Sequence, residues 1–100
     1  MNMQQMMMQA QKMQRDLNKA MGELEQKEFT LTKGGAVTVT MLGSHEMKSI
    51  SIEESALDPE NKEMIEDLVV LTMNEIMSMI EKERGDINER ITGRRNGLGM

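Results

Sequence analysis

The sequence has no cysteine, tryptophan or tyrosine, and only one phenylalanine, one proline and one histidine in 100 residues. Without cysteine there is no disulfide framework, no zinc–thiolate centre and no thiol nucleophile. With His45 alone, a histidine-rich metal site is excluded, and a Ser/His/Asp triad would have to use that residue. Without aromatic residues beyond Phe29, there is no stacking platform for single-stranded nucleic acid. No run approaches the ~20 apolar residues that a membrane span needs. Met1 to Met8 has neither a cationic start nor a continuous apolar stretch, so no secretory signal is expected and the expected compartment is the cytoplasm.

What is abundant is methionine, with 14 residues, and charge, at 29% of the chain. Apolar residues are 38%. A single domain of this size and composition buries a modest share of its surface, so self-association is expected.

The pattern divides the single domain, 1–100, into four stretches. In residues 1–27 the apolar positions are Met3, Met6, Ala10, Met13, Leu17, Ala20 and Leu24, at alternating steps of three and four. That is the narrow seam of a coiled coil, on a helix filled with Gln, Lys, Glu and Met. Residues 28–53 switch to period two. Phe29 and Leu31, then Val37, Val39 and Met41, then Ile50 and Ile52 alternate with Thr or Ser. Gly34-Gly35 and Gly43-Ser44 mark the turns of a three-stranded antiparallel meander. Residues 58–92 form the second helix, opened by Asp58 as cap and Pro59 in the first turn. Its apolar stripe, Met64 to Ile80, is wider than one packing face requires, which suits a second contact surface. Gly85 is expected to weaken this helix, and residues 93–100 to form a mobile tail. The fold class is α+β: helix, three-stranded meander, helix.

Charge is uneven. Residues 1–27 carry +1, residues 28–83 carry −8 and residues 84–100 carry +2, for a total of −5. Lys12, Arg15 and Lys19 stand opposite the methionine seam. They form either a ridge for phosphate oxygens or a solvated outer face. Arg84, Arg90, Arg94 and Arg95 offer cations near the other terminus, or decorate a helix end.

Other clusters carry less. His45 has no nucleophile tied to it by a motif. Glu53, Glu54, Asp58 and Glu60 lack the ligand spacing of a calcium loop. Gly34-Gly35 is not followed by the residues of a phosphate loop. Asn74 is either a buried polar residue that fixes packing register or a surface residue. No constellation supports an enzyme, a cofactor or a small-molecule substrate. The methionine excess has two readings, an apolar seam or an adaptable surface for varied partners. The second would make the chain a coiled-coil chaperone or adaptor.

Several runs together resemble a known family. Met6-Met7-Met8-Gln9-Ala10-Gln11-Lys12-Met13-Gln14 precedes a Thr-rich hairpin. Val37-Thr38-Val39-Thr40-Met41-Leu42-Gly43 has the form V-x-V-T-x-x-G. Lys62-Glu63-Met64-Ile65-Glu66-Asp67-Leu68-Val69 has the form K-E-M-[IL]-E-D-L-[VI]. In this order, over roughly residues 5–85, they resemble the YbaB/EbfC family of bacterial nucleoid-associated proteins. The resemblance implies a homodimer built on sheets and second helices, with the long helices projecting as arms. It implies binding of double-stranded DNA with a role in nucleoid organisation or gene regulation. It places Lys12, Arg15 and Lys19 on the first arm, and Arg84 and Arg90 late in the second helix. Arg94 and Arg95 rest on local charge alone. Leu17, Val37, Val39, Leu68, Met73 and Ile76 are the expected core and dimer residues.

Overall fold

The computed structural model describes residues 2–94. It contains helix α1 (Met3–Gln26), strands β1 (Glu28–Lys33), β2 (Val37–Leu42) and β3 (Met47–Ile52), and helix α2 (Lys62–Thr92). Two short 3-10 turns, Glu54–Ala56 and Pro59–Asn61, precede α2. The α+β architecture and the antiparallel meander, ordered β1-β2-β3, agree with the sequence expectation.

Local chemistry explains each boundary. Asn2 and Gln5 form a capping box at the start of α1, each side chain bonded to the other's backbone amide. Gly34 and Gly35 both have positive φ, 62° and 63°, as a tight hairpin of this twist requires. Asp58 accepts from the Glu60 amide and caps the 3-10 turn that leads into α2. Gly93, at φ 80°, closes α2 with its amide on the Glu89 carbonyl. The helix passes through Gly85 unbroken, as the expected span to residue 92 requires, because packing outweighs a single weak position. From residue 95 onward the expected tail, with Arg95, lies outside the described residues.

The strands put Thr and Ser on one face. Thr30 pairs with Thr40 and Thr32 with Thr38 through their hydroxyls, at 3.0 and 2.8 Å. The other face carries Phe29, Leu31, Val37, Val39 and Met41, and α2 lies across it over β1 and β2. Val37, Val39, Ile76 and Ile80 are fully buried there. Leu68, Met73 and Leu17 pack against that core and remain half-exposed. Asn74 is exposed in the single chain, so it is not a polar group of that chain's own core. Among the described residues, the buried polar side chain of the core is Thr72, whose hydroxyl donates to the Leu68 carbonyl at 2.6 Å.

One stripe of α2 serves two partners. Its first half, from Ile65 to Ile80, covers the sheet. Its last turns, with Ile87 and Ile91, meet α1 at Leu17, Ala20, Met21 and Leu24. The base of α1 is pinned to the β2–β3 turn. The Gly43 amide donates to the Lys27 carbonyl at 2.9 Å, and the Ser44 amide to the Glu25 carbonyl at 3.2 Å. Above Leu17 the helix has no cover among the described residues, and every residue from 2 to 16 is exposed. At ~1.5 Å per residue this free arm is roughly 21 Å long, within a molecule whose longest extent is 69 Å.

Candidate nucleic-acid interface

Three of the expected cations sit together. Lys12, Arg15 and Lys19 are exposed on one side of α1, about half a turn round from the seam that packs on α2. Lys12 and Arg15 belong to the free arm. With Gln5, Met8 and Gln9 they line a shallow depression along that face. The ridge also holds an acid. Lys12 Nζ donates to Asp16 Oδ2 at 2.7 Å, one helical turn on. That hydrogen bond, with the nearby charges of Lys12, Arg15 and Lys19, holds the Asp16 carboxyl below its ordinary range, although partial desolvation pulls the other way. Asp16 therefore stays ionised and takes one charge from the ridge. Arg15 and Lys19 have no ion-pair partner among the described residues.

The structure puts the arginines of α2 elsewhere. Arg84 turns inward. Its Nη2 donates to the Gly43 carbonyl at 3.3 Å, its Nε lies 3.6 Å from Glu81 Oε2, and its side chain is 27% exposed. Glu81 Oε2 also lies 3.3 Å from His45 Nε2. His45 has φ 75°, the left-handed backbone of a tight turn, so these contacts fasten the β2–β3 turn to α2. Arg90 borders a cleft between the helices lined by Glu23, Lys27, Glu83 and Asp86, with Ala20, Leu24 and Ile87. In that cleft Lys27 Nζ holds both oxygens of Glu83 at 2.8 Å. Arg94 is exposed just past the end of α2. The expected site residues thus divide into a ridge on α1, an inward clamp at Arg84, and two cations on the late part of α2 and just beyond it.

A second surface was only partly foreseen. The inner face of β3 is left largely open by α2, with Ile52 at its end packed against the core. Met47 and Ile50 are 39% and 46% exposed, although they share that face with buried residues of β2. On α2, Val70, Met73 and Met77 follow at helical spacing along the flank that leads to Glu81 and Arg84, the two residues that reach the β2–β3 turn. Val70 is 60% exposed. An open apolar strip therefore borders β3. The signal in the sequence was the excess width of the α2 stripe.

No group of His, Asp or Glu among the described residues could hold a metal ion. Among the same residues, no helix is long and apolar enough to cross a membrane.

The YbaB/EbfC DNA-binding family model matches residues 1–95. The chain belongs to this family. The chain is 42% identical over 101 residues to a protein of Clostridium novyi named nucleoid-associated protein NT01CX_0824, covering all of this chain and 89% of the relative. A nucleoid-associated protein of Mycoplasmopsis pulmonis is 40% identical over 91 residues, covering 91% of this chain and 90% of the relative. A crystal structure of the uncharacterized protein HP0035 from Helicobacter pylori superposes with a TM-score of 0.72 at 21% identity, covering 90% of this chain and 96% of the other. That likeness supports the fold of this YbaB/EbfC chain.

Proposed function

We propose that this protein is a non-catalytic, dimeric nucleoid-associated protein of the bacterial cytoplasm that grips duplex DNA through phosphate contacts. The observation that carries the reading is the exposed ridge of Lys12, Arg15 and Lys19 on the outer side of α1, the first two on its free arm. Family membership gives the ligand class. Cations at helical spacing on a projecting rod suit a phosphate backbone better than base edges, so the contacts fix position and carry little sequence preference. Arg90 and Arg94 are assigned as auxiliary contacts to the same polyanion, as cations on and just past the late part of α2. Arg84 is assigned to holding the arm's base, because its donors face Gly43 and Glu81.

The dimer forms through the open strip of Met47, Ile50, Val70, Met73 and Met77. A surface of this kind is rarely left to water. Two copies joined there present two arms at a fixed separation, which raises affinity through effective concentration. The acidic middle of the chain, −8 over residues 28–83, repels DNA and confines contact to the two basic extremities.

Light scattering combined with a salt-titrated gel shift tests both parts. A two-chain particle whose affinity for unrelated duplexes falls steeply with salt supports the reading. The exposed tip methionines favour a second reading, a chaperone or adaptor for apolar segments. Suppression of aggregation by a sample that leaves DNA unshifted at low salt would put that reading first.

A further inference from the structure

The face of α1 that packs on α2 does not end where α2 ends. Leu17, Ala20 and Leu24 of the seam are covered. The same spacing runs on through Met13, Ala10, Met6 and Met3, which have no cover among the described residues. Met13 is 39% exposed, Met6 55% and Met3 75%. Apart from Lys12, this stretch is also free of charge. No residue from Asn2 to Gln11 has an ionisable side chain, in a chain that is 29% charged.

We propose that the arm tip, residues 3–13, docks against the same stretch of a second copy, antiparallel, and so links one dimer to another. The inference rests on the base dimer proposed above. Three observations carry it. The seam is continuous with a contact already made by α1, so its geometry is that of a helix-packing face. With Lys12 on the far side, the seam itself carries no charge, so the like-charge repulsion that opposes self-association elsewhere on this acidic chain is absent there. The register is also self-complementary. Turned end for end about residue 8, Met3 of one copy faces Met13 of the other, and Met6 faces Ala10, long against short. Flexible thioethers fill such layers without a fixed shape.

Lys12, Arg15 and Lys19 lie on the far side of the helix and stay open to phosphate in this arrangement. The overlap is roughly 16 Å of helix, too short to hold two particles together strongly. The link therefore strengthens where dimers are crowded on one duplex, and each dimer, with two tips, joins two neighbours.

The test uses the full chain, whose lack of cysteine makes single thiols clean reporters. Met6→Cys and Ala10→Cys chains are mixed and mildly oxidised, with Met6→Cys and Gln11→Cys as the off-seam control. The expected result is a disulfide-linked pair in the first mixture at least about tenfold faster than in the control, as docking raises the local thiol concentration. The rate falls on dilution, and light scattering shows a native mass above that of the reduced sample. Placing Met13→Glu in both chains abolishes the difference. Equal rates in the two mixtures overturn the proposal. So does a link indifferent to dilution that leaves native mass unchanged, since the tips would then meet within one dimer. A reduced sample that weighs as one chain at every concentration removes the base dimer instead, and the thiol rates still report on the tips separately.

Discussion

Gly43 lies under the carbonyl of Leu24 so closely that a Cβ at position 43 would overlap that backbone oxygen. The glycine thus sets how α1 leaves the sheet, and the direction of the arm follows from it. Its amide and carbonyl are both used, by the Lys27 carbonyl and by Arg84.

Gly43→Ala is therefore expected to destabilise the fold by about 2–3 kcal/mol through overpacking against backbone, which cannot swing aside. Thermal denaturation measures this. Gly35→Ala meets no neighbour within 4 Å but has φ 63°, so its cost comes from backbone strain alone and is smaller.

Arg84→Ala and Arg15→Ala separate holding from binding. The first removes a half-buried anchor of the β2–β3 turn and should lower stability by roughly 1–2 kcal/mol, with the salt dependence of DNA binding unchanged. The second should leave stability within about 0.5 kcal/mol and make the salt dependence shallower. Denaturation and salt-titrated gel shifts on both variants decide the assignment.

Asp16→Asn should tighten DNA binding. It frees Lys12 and raises the net charge of the group Lys12, Arg15, Asp16 and Lys19. The slope of log affinity against log salt should steepen by up to ~0.9 for each additional phosphate engaged. The pH dependence has a fixed sign. A depressed carboxyl pKa means that Asp16 remains ionised above it, and releases Lys12 only as pH falls through that lowered value. The advantage of Asp16→Asn should thus persist from pH 7 to pH 5, and a gel shift at both values checks it.

Ile50→Asp or Val70→Asp places a charge in the open strip beside β3. Each is expected to shift the protein to a single-chain mass in light scattering without loss of helix signal, because both residues are already exposed in the isolated chain.

The order of elements was readable from the sequence because each carries a strong periodic signal. Met3 to Leu24 repeats at three and four, and Val37, Val39 and Met41 alternate with polar residues and are buried. The position of the ridge opposite the seam followed from helical geometry alone. What sequence could not give depended on contacts between distant residues. Arg84 looks like any late-helix cation until Gly43, forty-one positions earlier, is seen beneath it. Lys12 and Asp16 were both visible at a four-residue spacing, but the loss of ridge charge required their hydrogen bond. The exposure of Ile50 followed only once α2 was seen to lie over β1 and β2 and to leave most of β3 open.

The most direct measurement is a salt-titrated gel shift of the triple variant Lys12→Ala, Arg15→Ala, Lys19→Ala on unrelated duplexes, with dimer mass checked in the same buffer. The account predicts weakened binding on every duplex and a salt slope shallower by up to ~0.9 for each phosphate that the variant no longer neutralises. An intact dimer whose titration matches the unaltered protein at every salt concentration would contradict it.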